Sequence, residues 1–135
     1  MGHLINDSLD DNNDIAVRCN ILCGQINNVI CYFANLDAVK KLKLFNTYCS
    51  SFYGSVLLDL ESPAIQDVCI AWLKGLRRVC GLPFSTHCDL LPLICCSISI
   101  FDELFRRTAQ FINQCLSSEC LIISNIARYG VFLAV

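Results

Sequence analysis

Proline and glycine are scarce in this chain, three and six residues among 135, and no Gly/Ser linker, low-complexity tract or internal repeat interrupts it. Residues 1–135 therefore read as one domain around one core, since a second domain would be too small to stabilise itself. Charged residues are also few, at 16%, and the net charge is −2. That balance argues against a free-standing nucleic-acid binder held by a strongly positive field, because neutralising phosphates takes many Lys and Arg. Long apolar runs are missing as well. The longest candidate, residues 90–101, is broken by Pro92 and several serines, well short of the roughly 18 residues that a membrane-crossing helix needs. No membrane span is expected.

Apolar residues and cysteine are plentiful. The apolar fraction is 55% and the mean hydropathy is +0.52, so a domain of this size has more apolar surface than it easily buries, and some of it is expected to seek a partner. The eleven cysteines are spread among long periodic apolar segments, unlike the short, loop-rich chains that disulfides hold together. The opening residues are acidic and polar rather than basic then apolar, which does not suit a secretory signal. Free, mostly buried thiols in a reducing intracellular compartment, cytoplasm or nucleus, are the expectation.

Helical periodicity runs through the chain, and the predicted fold is all-α, a single irregular bundle of about five or six helices. Between Asp14 and Phe33 the residues Ile15, Cys19, Leu22, Ile26, Val29, Ile30 and Phe33 share one stripe, with Asn12, Asn13 or Asp14 able to cap its start. A second helix is predicted from about Asp37, with Val39, Leu42, Phe45, Cys49, Phe52, Tyr53 and Val56 inward and an end near Gly54. A third carries Ile65, Val68, Trp72, Leu73, Leu76 and Val79, with Ser62 as cap, Pro63 in the first turn and Gly81 with Pro83 as the stop. Ser85 or Thr86 begins a short fourth helix that Pro92 disturbs. Ser99 is expected to cap a fifth through its hydroxyl, with Phe101, Leu104, Phe105, Thr108, Phe111, Ile112 and Cys115 as its stripe. A last turn or two runs from Ser118 to Ile126. Residues 131–135 are too short to classify, and a strand is conceivable only for residues 93–100.

Chemistry is poorly represented. Cys19 and Cys23, or His87 beside Cys88, suggest a metal or thiol site, but there is no pair of CxxC hooks and no third group to orient a base; buried Cys and a capping or partly buried His are the simpler readings. Asp10, Asp11 and Asp14 cluster, yet acidic residues are expected ahead of a helix. No phosphate loop or serine elbow is present. No catalytic residue, cofactor or metal is assigned. Two basic clusters remain as candidate nucleic-acid contacts: Lys40, Lys41 and Lys43 on the second helix, and Lys74, Arg77 and Arg78, three and four apart on the third; from spacing alone a solvated face opposite the core is the first reading and phosphate contact the second.

One resemblance runs along nearly the whole chain, about residues 2–130. Tyr53-Gly54-Ser55, Ala71-Trp72, Lys74-Gly75, Arg77-Arg78, Gly81-Leu82-Pro83 and Thr86-His87 occur in the order found downstream of the palm in the reverse transcriptases of non-LTR (LINE- or jockey-like) retrotransposons. Gly2-His3, Asp11 with Asp14-Ile15, Lys40, Leu44-Phe45, Tyr48-Cys49, Asp59-Leu60, Leu90-Leu91, Ser117-Ser118-Glu119 and Ile126-Ala127 are similar to its flanking parts. The resemblance implies a helical thumb-like region that grips an RNA/DNA template-primer duplex beside the palm. It also implies no polymerase activity, because the catalytic carboxylates of that family sit upstream in an aromatic-x-Asp-Asp motif that Leu9-Asp10-Asp11 does not match. Leu58 stands where tryptophan is expected, Leu73 where a basic residue is, and Cys95 and Cys96 where polar residues are. These departures raise apolarity, which favours self-association or docking to the missing palm and makes a small helical interaction module the alternative.

Overall fold

A computed structural model describes Asp7, residues 10–52 and residues 54–134. Gly2, His3, Leu9 and Tyr53, cited above, lie outside the described residues. Among the described residues six α-helices and two 3-10 turns make up the fold and there is no strand; residues 93–100, where the strand alternative is strongest, form the end of a short helix, an irregular connection and the first residue of the next helix.

Helix α1 (Asn12–Tyr32) and helix α3 (Ala64–Val79) form the central pair, and α2 (Ala38–Tyr48) packs against both. The α1 stripe buries Ile15, Leu22, Ile26 and Val29, whereas Phe33, just past the end, is exposed. Its start is not capped as expected. Asp11 occupies the cap position without a side-chain capping bond to the helix, and Asn12, Asn13 and Asp14 lie inside the first turn, where Asp14 is buried and takes the Arg18 Nε at 2.6 Å. Helix α2 starts on Asp37, whose carboxylate accepts from the Lys40 backbone N–H at 2.8 Å, the bond that makes Asp a strong helix starter. It stops at Tyr48 rather than near Gly54. Phe45, Cys49 and Phe52 turn inward while Val39 is exposed, because a helix of this length has room for only one narrow stripe against two neighbours. Gly54, at φ 71°, then reverses the chain into a 3-10 turn (Ser55–Leu57).

The signals around α3 hold to within a residue. Ser62 Oγ accepts from the Ala64 N–H at 3.3 Å, Pro63 sits immediately ahead of the helix, and the chain leaves through Gly81 at φ 63°. Leu82 N–H reaches back to the Arg77 carbonyl at 2.9 Å and Gly81 N–H to that of Arg78 at 3.2 Å, which satisfies the last turn's carbonyls as a Schellman closure does. Midway, Gly75 is buried at the crossing of α1, α2 and α3: a Cβ there would lie 2.6 Å from Ile26 Cδ1 and 3.0 Å from Phe45 Cε2. Close helix approach is the reason for glycine in a helix interior, where it otherwise costs about 1 kcal/mol relative to Ala. Beside it, buried Trp72 packs its ring 5.7 Å from that of Phe45, tilted by 47°.

A 3-10 turn (Cys88–Leu90) runs directly into α4 (Leu91–Ile94), with Pro92 in the first turn. Proline therefore opens this helix rather than disturbing it, since its missing N–H falls where no partner is needed. Leu91 and Cys95 close the core, and the Cys80 and Cys95 sulfurs lie 3.4 Å apart. Helix α5 (Ile100–Leu116) follows Ser99, but the Ser99 hydroxyl makes no capping bond; its carbonyl accepts from Glu103 N–H instead. Only Ile100 and Leu104 of α5 are buried. Helix α6 (Leu121–Ala134) is longer than the expected turn or two and absorbs residues 131–134. Among the described residues no helix is long and apolar enough to cross a membrane.

Candidate nucleic-acid interface

The six basic residues singled out above do not form one patch. On α3, Lys74 and Arg78 are exposed and lie one turn apart on the same side, as i and i+4 positions must. Arg78 Nη1 donates to Asn27 Oδ1 on α1 at 3.0 Å. Asn27, which the sequence reading did not single out, thus anchors one of the two cations; nothing in its local sequence marks it, because its partner is 51 positions away.

Arg77 goes elsewhere. It is only 8% exposed, and its side chain is held under the loop that follows Gly81. Its Nη2 donates to the Thr86 carbonyl at 2.9 Å and to Cys88 Sγ at 3.4 Å, and its guanidinium lies 5.2 Å from the centre of the Phe84 ring. Among the described residues its Nε has no partner and no carboxylate pairs with it. A buried guanidinium that ties a loop to a helix is a structural cation, so Arg77 is corrected from phosphate contact to loop anchor. The turn at Gly81 is the cause: it brings residues 84–88 back across the last turn of α3. A shallow cleft of about 450 Å³ lies alongside, between Lys74 and Arg77 on the helix and Phe84, Thr86 and His87 on the loop.

The α2 lysines are similarly divided. Lys40 Nζ is 3.0 Å from Asp37 Oδ2; the Lys40 backbone N–H and then its side chain hold the Asp37 carboxyl below its ordinary value. Lys41 is half-buried, and Lys43 is exposed with no acidic partner among the described residues. Elsewhere, Glu103 takes both Arg106 and Arg107, each at 2.8 Å; hydrogen bonding from Arg106 leads in lowering the Glu103 carboxyl. The cations best placed to meet an extended polyanion are therefore Lys43, Lys74 and Arg78.

The remaining candidates have local structural partners. Asp10 accepts from the Asn12 N–H at 3.0 Å and Asp11 from the Asp59 N–H at 2.8 Å, so these carboxylates organise the entry to α1. His87 is exposed, not partly buried, and its Nδ1 lies 3.6 Å from Asp89 Oδ2. The cysteines are free thiols, although Cys23, Cys31, Cys88, Cys96 and Cys120 are exposed rather than buried. Cys19 Sγ points to the Asp67 carbonyl at 3.8 Å, and burial, followed by the neighbouring Cys23, pushes its thiol up. Among the described residues no group of three or more His, Cys, Asp or Glu is arranged to hold a metal ion. No protein-family model, curated protein or solved structure matches the chain.

Proposed function

We propose that this chain is a catalytically silent piece of the helical region that follows the palm of a non-LTR retrotransposon reverse transcriptase, an RNA-directed DNA polymerase, and that it retains weak contact with a template-primer duplex. The observation that carries the reading is the exposed pair Lys74 and Arg78, one turn apart on α3 with Arg78 oriented by Asn27. Helix-borne cations at this spacing suit adjacent phosphates and read no bases. The all-α architecture agrees with what the motif order implies. Polymerase chemistry needs clustered carboxylates around two metal ions, and in this reading those belong to the palm.

A salt titration of RNA–DNA duplex binding tests it. Two phosphate contacts give a slope of log K against log salt of roughly −2. The variant K74A/R78A is expected to abolish that slope while remaining folded, and Arg77 is left intact because it anchors a loop. Salt dependence unchanged in the double variant, or primer extension by the purified chain, would refute the proposal. A second reading, a helical interaction module, is favoured by a separate observation: α5 and α6 leave most of their large apolar side chains in solvent.

A further inference from the structure

Among the described residues, helix α6 packs substantially against α5 and no other element. Leu121, Ile122, Ile126, Tyr129, Phe132 and Leu133 are each between 68% and 80% exposed, and Arg128 is the sole charge among residues 121–134. A helix apolar on nearly every side is one built to be covered.

We propose that the occupant of this surface is a second copy of the chain, two α5–α6 hairpins pairing about a two-fold axis into a four-helix bundle. The proposal develops the second reading above and is independent of duplex binding. Area argues for it: the chain exposes 9078 Å², whereas a monomer of its 15.1 kDa mass exposes about 7,100 Å². The excess of about 2,000 Å² is summed over the whole chain, with the exposed apolar side chains of α5 and α6 contributing to it, and it leaves room for the roughly 800 Å² that each partner contributes to a standard stable interface. Charge argues for it too. Within residues 100–134, Asp102, Glu103 and Glu119 balance Arg106, Arg107 and Arg128, so identical hairpins meet without net repulsion. Gly130 lies inside α6 with nothing within 4 Å of where its Cβ would be, a helix-weakening residue that no intramolecular contact requires and that close approach of another helix would use. An open groove of about 510 Å³ between Leu116, Arg128, Val131 and Phe132 supplies a recess for a large side chain of the partner. A two-fold arrangement closes on itself and leaves no further copy to recruit.

Sedimentation of the full chain from about 1 to 100 μM tests the pairing. The expected result is a reversible monomer–dimer equilibrium that 1 M NaCl does not dissolve, with α6 amides exchanging more slowly at 100 μM than at 1 μM while α3 amides are unaffected. The variant I122E/F132E is expected to sediment as a monomer with unchanged far-UV circular dichroism. Wild-type protein that stays monomeric at 100 μM, or that forms open-ended larger species, overturns the proposal. If that monomer binds a hydrophobic dye and I122E/F132E does not, the surface is free for a different protein and only self-pairing falls; a monomer without dye binding removes the interaction module as well.

Discussion

Replacing Gly75 by alanine sets two effects of known size against each other. In an exposed helix the change stabilises by about 1 kcal/mol, because alanine loses less backbone freedom on folding. Here the new methyl would sit 2.6 Å from Ile26 Cδ1, 3.0 Å from Ile26 Cγ1 and 3.0 Å from the Phe45 ring. Both neighbours are buried, Ile26 at 3% and Phe45 at 0% exposure, so neither can swing into solvent. Overpacking of this kind costs typically 1–3 kcal/mol, and the net expectation for Gly75→Ala is destabilisation of up to about 2 kcal/mol once the helix gain is subtracted. Urea denaturation followed by far-UV circular dichroism measures it. The same geometry predicts a rescue: Ile26→Val removes the nearest atom, costs about 1 kcal/mol alone, and costs less than that when combined with Gly75→Ala. Net stabilisation by Gly75→Ala, or strict additivity with Ile26→Val, would show that α1 and α3 do not meet at this glycine.

Arg77→Ala is expected to destabilise by about 1–2 kcal/mol, because it takes the charged donor from the half-buried Thr86 carbonyl, while duplex affinity per folded molecule stays the same; thermal unfolding and a binding titration on one preparation check both, and lost binding with unchanged stability would contradict the loop-anchor role. Burial pushes the Cys49 thiol up to about 11 from an ordinary 9.0 and also raises Cys95. Folding therefore favours the neutral thiols, a contribution complete below pH 9 and lost as pH climbs towards 11. Urea midpoints at pH 8, 9 and 10 should fall, and fall less steeply in Cys49→Ala; equal slopes would place Cys49 in water.

How much was legible follows the range of the causes. The cap, the stripe and the stop of α3 are set within a few residues of one another, so Ser62, Trp72 and Gly81 announce themselves. Arg77 shares its spacing with Lys74 and Arg78 and separates from them only because the chain doubles back after Gly81, which no helical periodicity contains. The stripe Phe101, Phe105, Phe111 and Ile112 is legible as one face of a helix, yet all four side chains are exposed, for periodicity reports which side chains align and not whether anything lies opposite them. Val39 errs the same way. The end of α2 is hard to read because Ser50 and Ser51 are weak helix formers rather than breakers; in the fold the Ser51 hydroxyl donates to the Tyr48 carbonyl at 3.0 Å, where the helix ends.

Trp72, wedged against Phe45, is the chain's sole indole, and it is buried where α1, α2 and α3 converge. Its emission consequently senses melting of that nucleus and is blind to α6, whereas the amide dichroism sums every helix. Superposed optical melts would mean that the hairpin and nucleus come apart together; a dichroism curve that drops ahead of the fluorescence would measure, degree by degree, how much of α6 has already frayed away.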